Sequence, residues 1–293
     1  MINKKYTNGM LKDGCFEGQN IIITGGATGL GMSMATYFSE LGANLIICSR
    51  KLDKLEGTSK DIESKTGNIV MPIKCDVRNS EEVQNVIDIG FKEFGEINCL
   101  VNNAAGNFIS PTERLSVKAF DVIIDIVLKG TSNFTLLLGK KWIKEKLPGS
   151  ILNIITTYAY SGSGYVAPSA AAKGGVLSLT KSIASEWSKY NIRSNAIAPG
   201  AFPTEGALQR LFPKVLSSFI KDPKKRIPMG RFGEHQELAN LAAFLLSDYS
   251  NFINGEIITI DGGELDYNAG QFNWLDRIPT KFWPLIEKAT RKK

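Results

Sequence analysis

Seven short apolar runs recur along the chain: NIIITG (20–25), NLIICS (44–49), IVMPIK (69–74), CLVNNA (99–104), SILNII (150–155), RSNAIAP (193–199) and EIITID (256–261). Near-continuous runs of this length, bounded by polar or turn residues, mark strands buried on both faces of a parallel sheet. Between them lie stretches with helical apolar spacing, near 30–41, 52–65, 80–94, 116–147, 168–190 and 235–247. Strand–helix alternation throughout predicts an α/β fold, a doubly wound parallel sheet with helices on both faces. No internal repeat, low-complexity run or linker interrupts it, so residues 1–293 read as a single domain.

Two segments fall outside the alternation. Residues 203–228 are long enough for a mobile lid between the sixth strand and the last major helix. The C-terminal stretch FNWLDRIPTKFWPLIEKATRKK is aromatic and amphipathic. It predicts a helical tail that packs on the domain or on a partner subunit, with a membrane-surface role as the alternative.

Composition narrows the classes. A chain of 293 residues, 43% hydrophobic and 22% charged, can bury a core without disulfides or metals. No uninterrupted apolar run reaches the ~18 residues of a membrane helix, so no integral membrane segment is expected. The net charge of +6 favours anionic partners. Its cations are scattered, with small clusters in KKYTNGMLK, KDPKKR and RKK, so a phosphorylated small molecule is expected and nucleic acid is not. Cys15, Cys48, Cys75 and Cys99 show no close pair and no metal spacing, which argues for a reducing compartment and no metal centre. The single histidine, His235, excludes a His-pair metal site and a His-centred triad within this chain. Its place in GEHQELAN, at a helix start, reads as an exposed polar residue. The first residues do not read as a transit peptide, being short, free of Arg and partly acidic, and TRKK is not a peroxisomal address.

Candidate chemistry begins at TGGATGLG, where Thr24, Gly25, Gly26, Ala27, Thr28, Gly29 and Leu30 follow the first strand and open a helix. Glycines let backbone approach a pyrophosphate, whose charge then meets unpaired N–H groups at the helix N-terminus. No Walker Lys-Ser/Thr pair follows, which disfavours phosphoryl transfer. The second strand, which ends in Asp or Glu in NAD-binding chains, ends here in Ser49, Arg50 and Lys51. A hydroxyl and two cations bind the 2′-phosphate that a carboxylate would repel, so NADPH is the expected cofactor. Asp76, closing the third strand, is placed for the adenine amino group. Asn103 in NNAAG (102–106) lines the cleft, and Pro199, Gly200, Ala201 and Phe202 form a turn suited to the nicotinamide end.

One motif carries an unexpected letter. In YAYSGSGYVAPSAAAKGGV, Ser169 stands four residues before Lys173, with tyrosines further back at Tyr158, Tyr160 and Tyr165. TGGATGLG, NNAAG, Lys173 and APG together resemble the short-chain dehydrogenase/reductase superfamily, with its Rossmann-type sheet, in which a Tyr normally fills position 169. NNAAGNFISPTERLS, TTYAYSGSGYVAPSAAAKGGV, NLAAFLLSDY and INGEIITIDGGE narrow the match to the NADPH-dependent 2,4-dienoyl-CoA reductases, above all the animal mitochondrial type, which also carry Ser-x-x-x-Lys.

That resemblance implies a set of roles. The working tyrosine is Tyr158, partnered by Asn107, both donating hydrogen bonds to the thioester oxygen. Lys173 holds the nicotinamide ribose, Ser169 supports the cofactor or the site, and Arg78, Phe108, Ser116 and Arg210 contact the acyl-CoA. It implies conversion of 2,4-dienoyl-CoA to trans-3-enoyl-CoA in β-oxidation of unsaturated fatty acids. It implies a homotetramer in the mitochondrial matrix, with peroxisome or cytosol as alternatives. A Tyr at position 169 would protonate an oxygen beside the hydride acceptor carbon, as a ketone needs. Hydride delivered to the δ carbon of a dienoyl thioester places charge far from that carbon, and the donor must move with it. A trans-2-enoyl thioester reductase, another short-chain carbonyl reductase, and a nucleotide-binding regulatory protein without catalysis are the alternatives. DIVLKG also departs from the wider superfamily: Lys129 replaces an Asn that organises a proton relay in many members.

Overall fold

The computed structural model describes residues 9, 11–204 and 222–291. The seven runs form strands β1 (Asn20–Thr24), β2 (Asn44–Ser49), β3 (Val70–Lys74), β4 (Cys99–Asn102), β5 (Gly149–Ile154), β6 (Ile192–Pro199) and β7 (Ile257–Ile260). They make one parallel sheet in the order β3-β2-β1-β4-β5-β6-β7. Its winding reverses between β1 and β4, and that reversal opens a crevice beyond their carboxyl ends, where open α/β sheets bind ligands.

Burial explains why the strand pattern is continuous rather than alternating. Every residue of β1, β4 and β5 is buried. Ile21 and Ile23 face the layer holding helices α1 (Gly29–Glu40), α2 (Leu52–Thr66) and α8 (His235–Leu246), whereas Ile22 faces α3 (Ser80–Phe94), α5 (Gly130–Glu145) and α7 (Ala167–Trp187). One strand thus feeds two cores and leaves no face for polar residues.

The predicted helix at 116–147 is built in three parts: α4 (Val117–Ile124), a π-helical turn at Asp125–Lys129, and α5. Gly130 lies against the loop after β3, where a Cβ would fall 2.4 Å from the Val77 side chain. The π turn carries the helix past that contact, next to the crevice, as π bulges commonly do at working sites. Taken as one helix, Val117–Glu145 is long and apolar enough to cross a membrane, although no uninterrupted run in it is that long. Its apolar side is already occupied here, because Val127, Phe134, Leu138 and Trp142 are fully buried in the core.

After β7 the tail forms α9 (Glu264–Ala269) and α10 (Trp283–Thr290). Phe272, Trp274, Phe282 and Leu285 stay exposed, whereas Leu275, Ile278, Trp283 and Ile286 are half-buried, so only part of the tail's apolar surface is covered within the described residues. Of the expected lid at 203–228, residues 205–221 lie outside the described residues.

Candidate active site

The loop after β1 is held open by two side chains expected to line the cleft. Thr24 Oγ1 accepts from the backbone N–H groups of Asn103 and Ala104, both at 2.9 Å, and Asn103 Nδ2 donates to the carbonyls of Thr24 (3.0 Å) and Gly25 (3.3 Å). Thr24 and Asn103 therefore brace the loop across the β1/β4 switch. Gly25 is left-handed, at φ 67°, and a Cβ on Gly31 would lie 2.3 Å from the Gly25 carbonyl oxygen, so side chains here would fill the cradle. Thr28 precedes α1 without a side-chain cap, and the first turn holds no acidic residue. Its N–H groups are thus available to an anion. Leu30 packs on the core and leaves only its backbone to that site.

Beside the loop a cavity is lined by Gly25, Ala27, Thr28, Ser49, Arg50 and Asp76. Lys51 and Lys54 join them. Lys54 is not among the residues expected from the sequence; its signal is its place in the first turn of α2, directly after Arg50 and Lys51. Three cations, a hydroxyl and an open helix N-terminus fit a dinucleotide bearing a 2′-phosphate. Asp76 is not free, as its carboxylate is bound in a fork by Arg78, at 2.9 Å to Nε and 2.5 Å to Nη2. Those Arg78 hydrogen bonds hold Asp76 below the usual carboxylate range. The residue assigned to adenine and one assigned to acyl-CoA thus form one ion pair at the adenosine end.

At the reaction end, the chain leaves β5 and enters the short helix α6 (Tyr158–Ser161). Tyr158 Oη accepts from Asn107 Nδ2 at 3.2 Å and lies 3.0 Å from Ser169 Oγ. The Asn107 amide is oriented by its own neighbour, since Asn107 Oδ1 accepts from Phe108 N at 2.9 Å and turns Nδ2 toward Tyr158. Ser169 and Lys173 are buried one turn apart on the same face of α7. Lys173 Nζ donates to the Ile154 carbonyl. Behind them a buried ladder joins Asn102 Nδ2 to Asn153 Oδ1 (2.9 Å) and Asn153 Nδ2 to Thr180 Oγ1 (2.9 Å), tying β4 and β5 to α7.

Burial brings the Lys173 pKa down from 10.5 to about 8. Above about pH 8 the folded chain sheds this proton, while the unfolded chain keeps it to about 10.5. The unfolded state then binds more protons, so this group makes stability rise with pH across that window. Urea unfolding of the nucleotide-free protein should show the rise, and Lys173→Met should flatten it. A variant with the same pH dependence as the parent would contradict a buried ammonium at this position.

Phe108 packs beside Ile123 and Val127. Ser116 is exposed and its hydroxyl caps α4, accepting from Ala119 N at 3.1 Å. Arg210 lies outside the described residues. In the turn after β6, Gly200 is closed against Asp261, and Phe202 is buried against Gly233, so the Phe202 side chain serves packing. Lys129 is exposed. His235 departs from its reading as an exposed residue: it is half-buried, with both ring nitrogens in hydrogen bonds.

A glycine loop at the sheet's switch point, a basic ribose cavity, and a buried lysine one turn beyond a hydroxyl cluster define a nicotinamide-nucleotide oxidoreductase of the short-chain kind. The family model described as Enoyl-(Acyl carrier protein) reductase matches residues 25–264, and the chain belongs to the short-chain dehydrogenase/reductase family. It is 46% identical over 285 residues, 96% of this chain and 92% of the relative, to "Probable 2,4-dienoyl-CoA reductase 3 [(3E)-enoyl-CoA-producing]" of Caenorhabditis elegans. It is 43% identical over 264 residues, 90% of this chain and 99% of the relative, to "Probable 2,4-dienoyl-CoA reductase [(2E)-enoyl-CoA-producing]" of Bacillus subtilis. A crystal structure of a short chain dehydrogenase from Bacillus anthracis superposes with a TM-score of 0.77 at 41% identity, covering 87% of this chain and 98% of that one.

Proposed function

We propose that this protein uses NADPH to reduce 2,4-dienoyl-CoA to trans-3-enoyl-CoA in the β-oxidation of unsaturated fatty acids. The observation that carries the reading is the placement of the phenol: the hydroxyl cluster is centred on Tyr158 with Asn107 at 3.2 Å, while position 169 is a serine. When bound, the nicotinamide supplies a hydride to the δ carbon. Charge developing on the thioester oxygen would then meet the Tyr158 O–H and the second N–H of Asn107, and a proton from solvent taken up at the α carbon would give the trans-3-enoyl thioester. As the Tyr158 O–H donates toward that oxygen, its own oxygen accepts from Asn107 and Ser169, which fixes the direction of the phenol. Ser169 is then a positioning residue, and Lys173 holds the ribose. The neighbouring cations Arg50, Lys51 and Lys54 support NADPH over NADH. A homotetramer in the mitochondrial matrix completes the proposal, resting on the resemblance and, for assembly, on exposed apolar residues such as Val117 and Leu136 along α4 and α5.

NADPH absorbance with 2,4-hexadienoyl-CoA tests the activity, and the position of the product's double bond separates a 3-enoyl from a 2-enoyl outcome. Turnover of 2-enoyl-CoA but not of the dienoyl thioester would favour the enoyl reductase reading instead. Anchoring of CoA phosphates by Arg78 and Arg210 predicts a salt effect. The Michaelis constant for dienoyl-CoA should rise several-fold between about 0.05 M and about 0.5 M salt, as screening shortens the reach of exposed charges. A pantetheine thioester, lacking the nucleotide, should bind less well and change little with salt. Matching salt profiles for the two would count against cationic anchoring.

A further inference from the structure

His235 opens α8, where a capping box between Glu234 and Glu237 and a forked Arg231–Glu237 pair (2.7 Å at both oxygens) fix its backbone. Its ring reaches in two directions. Nε2 lies 2.8 Å from the Pro203 carbonyl, and Nδ1 lies 2.9 Å from Ser33 Oγ on α1. A carbonyl only accepts, so Nε2 carries a proton and donates to Pro203. Ser33 in turn lies 3.1 Å from the carbonyl of Gly29, the residue that begins α1. The same two segments also touch directly, since a Cβ on Gly29 would fall 3.1 Å from Thr204 Cγ2.

We infer that His235 is a positioning residue for the nucleotide: one side chain sets the spacing between the phosphate loop and the turn at 199–204. An extended dinucleotide must satisfy both segments at once, the pyrophosphate at the start of α1 and the nicotinamide at the carboxyl end of β6. The turn has other supports. Gly200 N donates to Ile260 O at 3.0 Å, Gly233 N donates to Ala201 O at 3.1 Å, and Phe202 packs on Gly233. Losing the ring should therefore loosen the Pro203–Thr204 end and leave the fold intact. None of His235, Ser33, Gly29 and Pro203 is among the residues assigned to the acyl thioester, so the expected effect is on cofactor binding. The inference rests on the nicotinamide-nucleotide reading of the site.

Three variants separate the two contacts. His235→Gln keeps an amide donor near the Nε2 position, whereas the shorter His235→Asn places its amide near Nδ1 and cannot reach the Pro203 carbonyl. His235→Ala and His235→Asn should weaken NADPH binding about five- to twentyfold, the usual yield of one well-placed hydrogen bond. His235→Gln should restore most of it, and the Michaelis constant for the thioester should move by less than about twofold in all three. In the nucleotide-free protein, amide hydrogen exchange at Gly233, whose N–H donates to the Ala201 carbonyl across this turn, should quicken in the alanine and asparagine variants, with β6 and α1 unchanged. Unchanged NADPH affinity and exchange, or a uniform rise in exchange across the sheet, would overturn the inference. Were the parent protein to bind neither NADPH nor NADH, the cofactor assignment would fall, and the exchange at Gly233 would still decide whether His235 holds the turn.

Discussion

Replacing Arg50 with Ala should raise the Michaelis constant for NADPH about ten- to a hundredfold, while leaving that for NADH within about twofold. A charge-assisted contact to a phosphate is typically worth about 1.5–3 kcal/mol, which is one to two decades in affinity. Arg50 lines the same cavity as Ser49, Lys51 and Lys54, so it is one of three cations able to reach a 2′-phosphate there. The remaining two lysines soften the loss and set its lower bound. Arg50→Ala with Lys54→Ala should therefore exceed either change alone, and the two should not add if both meet one phosphate. Among the described residues lining that cavity the one acidic side chain, Asp76, is committed to Arg78 and offers a ribose hydroxyl little free capacity. Initial rates with each nucleotide decide the matter. Equal use of NADH and NADPH by the parent protein would remove the basis for assigning the cavity to a 2′-phosphate.

The sheet was readable from the sequence because each strand is buried on both sides and so prints as an unbroken apolar run. All seven runs became strands, with ends shifted by at most about two residues. The phosphate loop was readable for a related reason: glycines are dictated by backbone contacts such as that between Gly31 and the Gly25 carbonyl, and no other residue fits. What periodicity could not reveal were features set by a single residue or by distant partners. The π turn at Asp125–Lys129 inserts one residue into a helix whose apolar spacing looks regular when averaged over several turns. Ser116 precedes an apolar helix start and caps it, a local role that competes with any ligand for the same hydroxyl. His235 meets Ser33 and Pro203, which lie 202 and 32 residues away in sequence, so no local pattern could pair them. The cluster of Asn107, Tyr158 and Ser169 was legible only through resemblance. Spacing alone shows that Ser169 and Lys173 share a helix face, while Asn107 and Tyr158 arrive from the ends of β4 and β5 and meet through the order of the sheet.

Tyr158→Phe should lower turnover of 2,4-hexadienoyl-CoA by about 10²–10³-fold, the usual loss on removing one donor from a developing oxyanion. The change deletes only the hydroxyl and should preserve the fold and NADPH affinity. Asn107→Ala should fall in the same range, because its amide both donates to Tyr158 at 3.2 Å and, through its second N–H, is placed to meet the same substrate oxygen. It carries a second cost, since Phe108 N loses the acceptor that orients this turn. The double variant should be far from multiplicative, as two donors serving one oxygen act as a unit. Ser169→Ala removes a hydroxyl 3.0 Å from the phenol and not a donor to the substrate. Its expected loss is about tenfold or less, the worth of one supporting hydrogen bond. Steady-state rates of the four variants under saturating NADPH provide the comparison. Near-full turnover in Tyr158→Phe with abolished turnover in Ser169→Ala would place the working hydroxyl back at position 169, where it lies beside the hydride acceptor, and the dienoyl thioester would lose its oxyanion donor.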